Sequence, residues 1–176
     1  MTVQEATYYV LNQLRSIYDE SEASRVTDWI LENITGSMKT ERMLYKNAVL
    51  TGDEETQVIA YTKRLLLHEP VQYVLNESWF CGLKFYVDKN VLIPRPETEE
   101  LVEWIISNCK FPVGELKILD IGTGSGCIPV SLKRRIRKAG VWSCDISKGA
   151  LETAKKNAAA LGAEVNFVEM NFLDSQ

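Results

Sequence analysis

The stretch KILDIGTGSGCIPVSL, residues 117–132, decides the fold. A short apolar run ends at Asp120, glycines follow at alternate positions (Gly122, Gly124 and Gly126), and then a run with helical spacing begins. The reading is strand, bare turn, helix. Glycine gives the turn its backbone freedom and lets a ligand approach the main chain closely. Outward from there the alternation continues. Residues 126–138 read as a helix, 140–145 as a strand, 147–161 as a helix and 164–169 as a strand. Upstream, 97–108 reads as a helix, with Pro96 near its first turn and Glu97, Glu99 and Glu100 where the helix dipole favours acids. Residues 117–121 read as a buried strand. Such alternation predicts βαβ units and a parallel sheet.

The first 70 residues have a different period. Val10, Leu11, Leu14, Ile17 and Tyr18 recur at helical spacing, as do Val26, Trp29, Ile30 and Ile34, with Ser21 or Ser24 placed to cap the second helix. Met43, Leu44 and Ala48 suggest a third short helix capped by Thr40, and Val58, Ile59, Leu65 and Leu66 a fourth, stopped by Pro70. Four short amphipathic helices predict a small bundle. Residues 74–93 include ESWFCGLKFYVDKNVLI, rich in aromatic and β-branched residues around Gly82, which predicts a β-hairpin bridging two domains. The expected organisation is a helical bundle over 1–73, a hairpin connector over 74–95 and an α/β domain from 96 to 176. No internal repeat or low-complexity tract interrupts it.

Composition narrows the classes. The chain is 45% hydrophobic and 25% charged, ordinary for a globular protein. No apolar run is long enough for a membrane span, and the N-terminus lacks the pattern of a signal peptide. Cys81, Cys109, Cys127 and Cys144 are scattered and read as reduced thiols, which predicts a cytoplasmic setting. A single histidine, His68, without clustered cysteines or carboxylates argues against a zinc site. Residues 1–75 hold seven Lys and Arg against eleven Asp and Glu, and residues 76–176 hold thirteen of each. Neither half has the basic footprint of a general nucleic-acid binder. The one basic cluster, Lys133, Arg134, Arg135, Arg137 and Lys138, falls at an expected helix end, where cations suit the dipole.

The glycine loop lies at the carboxyl ends of the strands, where open α/β sheets bind ligands. Asp145 ends the next strand, 19 residues after Gly126, where an acid can accept from both hydroxyls of a ribose. The dinucleotide pattern G-x-G-x-x-G does not fit, because Cys127 stands where its third glycine belongs. The pattern present, D-x-G-x-G-x-G, is similar to the first motif of Rossmann-like S-adenosylmethionine (SAM) methyltransferases, whose ligand has no phosphate to cradle. An acid such as Asp120 would suit its cation. A tight turn without ligand stays open as the plain alternative. After the third strand, Phe172 could lie on an adenine face and Asn171 could bond its edge.

Residues 91–103, VLIPRPETEELVE, are the most unusual local chemistry: Pro94 and Pro96 stiffen an extended segment around Arg95, and acids open a helix. Together with HEPVQYV (68–74), FCGLKFYVDKNVLIPRPETEELVE (80–103), DIGTGSG (120–126), CDIS (144–147) and AKKNAAALG (154–162), this block resembles the HemK-type protein-glutamine N5-methyltransferases that modify peptide chain release factors. The resemblance implies a substrate-recognising helical bundle, a hairpin connector and a SAM-binding Rossmann-like domain. It implies that Asp120, Gly122, Thr123, Gly124, Ser125, Gly126, Asp145, Ile146, Asn171 and Phe172 contact SAM, and that Pro94, Arg95, Pro96 and Glu97 lie near the reaction cleft. It implies methyl transfer from SAM to a glutamine side-chain amide of a release factor.

Two departures stand out. Asn171 replaces the acid the family commonly has before the adenine-stacking residue, and the family's Asn-Pro-Pro-Tyr motif is absent from residues 1–176. The expectation is therefore a fragment holding the first half of the methyltransferase domain, inactive alone, with strand 117–121 exposed along one edge and prone to self-association. The competing readings are an adenine-specific nucleic-acid methyltransferase, against which the acidic first half speaks, a non-catalytic partner-binding module, and an NAD-dependent oxidoreductase, against which Cys127 speaks.

Overall fold

Local capping chemistry sets where the longer helices of the first unit begin. At Thr2-x-x-Glu5 the Thr2 hydroxyl accepts from the Glu5 N–H at 3.2 Å, while Glu5 Oε2 accepts from the Thr2 N–H at 2.8 Å. This opens α1 (Val3–Leu14). A computed structural model of the chain describes residues 1–108 and 116–174 and divides into two units, Met1–Leu75 and Asn76–Gln176.

In the first unit α1 is followed by α2 (Glu20–Thr35), α3 (Lys39–Leu44), α4 (Gly52–Leu66) and α5 (Val71–Leu75). Val10, Leu14, Ile30, Leu31, Val58 and Leu65 are fully buried at its centre. Two caps differ from the sequence expectation. Asp19, not Ser21 or Ser24, caps α2, its carboxylate accepting from the Glu22 N–H at 2.8 Å. Thr40 lies inside α3, which starts after Met38 because the Glu41 side chain accepts the Met38 N–H at 2.9 Å. A fifth helix, α5, was not expected. Arg64 holds it: the guanidinium forks onto Glu69 at 2.7 and 2.5 Å and donates to the Tyr73 and Val74 carbonyls at 3.0 Å each. Asp19→Ala should destabilise the first unit by about 1 kcal/mol, the usual value of an N-cap. Urea unfolding followed by helical circular dichroism checks this, and an unchanged midpoint contradicts it.

In the second unit a short hairpin comes first. Strands β1 (Ser78–Phe80) and β2 (Leu83–Phe85) pair antiparallel across Cys81 and Gly82, both left-handed at φ 49° and 72°. Two successive positive φ values make the two-residue turn that matches strand twist. The paired region is shorter than 74–93; beyond it Asn76 and Val87 are joined by one long main-chain bond (Val87 N–H to Asn76 O, 3.4 Å) and by the Asn76 side chain (Nδ2 to Val87 O, 3.0 Å). Phe80 and Phe85 meet edge to face at 6.2 Å in the core. Then come α6 (Pro96–Asn108), β3 (Lys117–Ile121), α7 (Cys127–Arg135), β4 (Gly140–Asp145), α8 (Lys148–Ala160) and β5 (Asn166–Glu169). The strands form a parallel sheet in the order β3-β4-β5, the Rossmann-like arrangement that the glycine stretch predicts. Helix α7 is shorter than 126–138. Gly126 precedes it at φ 79°, and Ile136 leaves helical geometry at φ −112°, ψ 69°.

The expectation of a buried strand at 117–121 is corrected. Among the described residues β3 is an edge strand, and Leu119 and Ile121 are 55% and 51% exposed. The register Leu119↔Trp142 and Cys144↔Val168 sets these side chains on one face of the sheet. Helices α7 and α8 cover the other face, where Ile118 and Phe167 pack into the core. Cys81, Cys127 and Cys144 are free thiols, and Cys109 lies outside the described residues. No helix among the described residues is long and apolar enough to cross a membrane.

Candidate functional site

The turn after β3 folds as its glycines require. Gly122, Gly124 and Gly126 all have positive φ (84°, 52° and 79°). The loop is anchored to the end of β4: the Gly122 and Thr123 N–H groups donate to the Cys144 carbonyl at 2.8 and 3.1 Å. The Gly124 N–H donates to Asp145 Oδ2 at 3.0 Å, and the Ser147 N–H to Asp145 Oδ1 at 2.9 Å. Two main-chain amides therefore fix the Asp145 carboxylate beside the loop, with lone pairs remaining on both oxygens. A Cβ at Gly122 or Gly124 would meet nothing within 4 Å, so their bareness leaves open space.

That space is a cleft of about 360 Å³, lined by residues 90–95 with Thr98, by 122–125 with Cys127 and Ile128, and by Asp145, Ser147 and Ala150. The structure thus brings together Pro94, Arg95, Gly122, Thr123, Gly124, Ser125 and Asp145 from the sequence expectation. Among the described residues Arg95 is its sole lining cation. Thr123 Oγ1 and Ser125 Oγ are buried without a hydrogen-bond partner of good geometry. Buried hydroxyls of this kind are ordinarily satisfied, and Thr123 faces the Asp120 carboxyl while Ser125 faces the Cys127 thiol.

The other expected residues lie outside the lining. Pro96 opens α6, and Glu97 is exposed in its first turn. Gly126 is buried against α8. Ile146 is 68% exposed. Asn171 is engaged in its own turn: its Nδ2 donates to Asp174 Oδ2 at 2.5 Å, and its Oδ1 accepts the Leu173 N–H at 3.2 Å. Phe172 is 44% exposed.

Asp120 stands behind the loop and accepts from Ser143 Oγ at 2.7 Å. Burial raises its pKa. The Ser143 and Thr123 hydroxyls oppose that, and the neighbouring Asp145 charge adds to it. A raised native pKa means the folded chain holds the proton more tightly than the unfolded chain. Stability is then fullest below the unfolded value and is lost as pH rises toward the native value. Asp120→Asn removes this loss, so its stability relative to the parent should improve as pH rises through the acid range and then level off. Urea midpoints across that range check it, and a pH-independent difference contradicts it. Burial also pushes the Cys127 thiol up to about 11, so it is no thiolate nucleophile near neutrality.

Sequence reasoning missed Asn157. It is 2% exposed on α8, on the stripe with Ala150, Ala154 and Ala158. Its Oδ1 accepts the Tyr86 N–H at 2.7 Å, and its Nδ2 donates to the Tyr86 and Ser125 carbonyls, each at 2.9 Å. One side chain thus ties the chain leaving β2 to the glycine loop. The signal was present in the sequence: an amide on the helical face shared with Ala150, Ala154 and Ala158 must find buried partners.

A three-stranded parallel sheet with a glycine turn, and an acid at the end of the second strand, defines a Rossmann-like domain, and the family comparison gives its class as methyltransferase. The comparisons agree. Residues 118–176 match the family described as methyltransferase domain. Residues 5–75 match that described as PrmC N-terminal domain. The chain is 41% identical over its whole length to a release factor glutamine methyltransferase of Flavobacterium psychrophilum, of which it spans 62%. It is 37% identical over 92% of its length to one from Bacteroides thetaiotaomicron, spanning 57% of that protein. A solved ribosomal protein L11 methylase from Lactobacillus delbrueckii subsp. bulgaricus aligns at 24% identity with a TM-score of 0.42, covering 51% of this chain and 45% of that one. The resemblance to the HemK-type release factor glutamine methyltransferases is thus shown along the whole chain, which spans about three fifths of the length of these two curated relatives.

Proposed function

We propose that the cleft at the glycine loop binds SAM, and that the chain serves methyl transfer to the side-chain amide nitrogen of a glutamine in peptide chain release factors, in the cytoplasm. The observation that carries this reading is the Asp145 carboxylate, held by the Gly124 and Ser147 amides at the edge of an open, glycine-walled cleft. The likeness to release factor glutamine methyltransferases supports the substrate.

When bound, SAM supplies a methyl group on a positively charged sulfur. In this reading Asp145 accepts from the ribose hydroxyls, with its orientation fixed in advance by the two amides. Arg95 pairs with the carboxylate of the ligand's amino-acid portion. The Asp120 carboxylate behind the loop adds negative potential that suits a sulfonium. The chain's own contribution is orientation and electrostatics, and no side chain lining the cleft is assigned as general base.

The test is calorimetric titration of SAM, S-adenosylhomocysteine and NAD into the purified chain. Saturable binding of the first two, with NAD inert, is expected. Asp145→Ala should weaken that binding about 10- to 100-fold, the loss of about one hydrogen bond to a charged group at about 1.5–3 kcal/mol. Binding of NAD alone, or SAM affinity indifferent to Asp145, would overturn the reading.

A further inference from the structure

The first unit holds a second cleft, of about 370 Å³, between α1, α2 and the α3 segment. Its construction is firm. The first-turn amides of α1, Val3 N–H and Gln4 N–H, donate to the Ala48 and Lys46 carbonyls at 2.9 Å each, which fixes the chain after α3 against α1. Asp28 on α2 anchors α3: its Oδ1 accepts from Arg42 Nη2 at 2.8 Å and its Oδ2 from Lys39 Nζ at 2.6 Å. Arg42 is only 6% exposed and also donates to the Ser37 carbonyl at 2.5 Å.

Two properties of this cleft stand apart from the rest of the unit. The first is charge. Lys39, Arg42 and Lys46 line it against the single acid Asp28, an excess of two positive charges. They are three of the seven cations in a 75-residue segment that has eleven acids. Lys46 makes no ion pair among the described residues. The second is exposed apolar surface. Tyr8 and Met43 line the cleft while 57% and 67% exposed. The same α3 segment also exposes Met38, Leu44, Tyr45 and Val49, each by 65% or more. Apolar side chains gathered beside a cleft mark interaction sites more often than scattered ones do, and a methionine adapts to an irregular partner.

We propose that this cleft docks an acidic peptide segment carrying an apolar anchor side chain. The anchor packs between Tyr8 and Met43, and the flanking carboxylates meet Lys39 and Lys46. The ordering of Arg42 and Lys39 on Asp28 means that the cationic rim is set before the partner arrives, which limits the side chains to be immobilised on binding. A polyanion such as RNA is disfavoured, because two excess charges release few counterions and the surrounding unit is acidic. The inference does not rest on the SAM reading of the other cleft.

The experiment uses the whole chain and three fluorescein-labelled 12-residue probes: repeated Glu-Glu-Leu-Leu, repeated Lys-Lys-Leu-Leu and repeated Glu-Glu-Ser-Ser. Anisotropy should show the first bound at least tenfold more tightly than either of the others. Lys46→Glu and Met43→Ser, both at exposed positions and with unchanged thermal unfolding, should each weaken it about tenfold. In a chain with 13C-methyl-labelled methionines, the Met43 resonance should move on titration and that of Met170 should stay. Equal binding of all three probes, no binding up to millimolar concentration, or a response indifferent to both variants would overturn the proposal.

Discussion

Asn157→Leu should destabilise the Asn76–Gln176 unit by about 3–6 kcal/mol, enough to leave many domains unfolded. Leucine keeps the branched shape and is the better helix former, but it is larger and orphans three main-chain groups: the Tyr86 N–H, the Tyr86 carbonyl and the Ser125 carbonyl. Each buried polar group left without a partner costs about 1–3 kcal/mol, against a total domain stability of about 5–15 kcal/mol. Asn157→Asp is a sharper probe. It keeps an acceptor for the Tyr86 N–H but turns the amide that serves two carbonyls into a carboxylate facing them. It should be at least as damaging as leucine near neutral pH and less so in acid, where the carboxyl regains a donor. Urea unfolding followed by tryptophan fluorescence measures both. A loss below about 1 kcal/mol for leucine would mean that water replaces the amide.

The second large effect is at Gly126, where two penalties add. Its φ of 79° costs an L-residue about 1–2 kcal/mol. An added Cβ would also stand 3.0 Å from Ala154 Cβ and 3.2 Å from Ala154 Cα, where α8 approaches the start of α7. Overpacking of this kind typically costs about 1–3 kcal/mol. Gly126→Ala should therefore lose about 2–5 kcal/mol. Gly122→Ala, with φ 84° but open space around it, should lose only the backbone part. The Gly126→Ala, Ala154→Gly pair should recover the contact part and not the rest, a coupling that a double-mutant cycle reads directly. Equal losses at the two glycines would mean that the helices simply move apart.

These two residues also mark what was legible in the sequence. The glycine spacing, a local property of nine or ten residues, announced a strand, a turn and a helix, and the loop has that form. The third glycine was legible as a turn residue but not as a packing residue, because Ala154 is 28 positions away and no periodicity links them. Asn157 lies in the stretch 154–162, but its partners lie on two distant segments that no local pattern links to it. Asp19, Ser21 and Ser24 share the same capping preference, and only geometry chooses between them. The strand 117–121 has the composition of a buried strand. Its exposure depends on what lies beside it in the sheet, which five residues do not encode. Where expectation joined Asn171 and Phe172 to the cleft, the intervening turn, closed by Asp174 and Leu173, was invisible to motif spacing.

The Asn157 clasp has a consequence in time as well as in energy. The β1–β2 hairpin closes over a two-residue turn, an event of microseconds once its residues exist. The β3–β4 pairing must first close a loop from Lys117 to Gly140, and the clasp joins residues 71 apart, Tyr86 and Asn157. On a chain made from its N-terminus at about 5–20 residues per second, the hairpin waits about 4–14 s for α8 to be synthesised. During that interval Phe80 and Phe85 are paired with each other but have no completed core to enter. Of all the segments in this unit, the hairpin is therefore the one exposed longest to chaperones and to wrong partners before its own arrives.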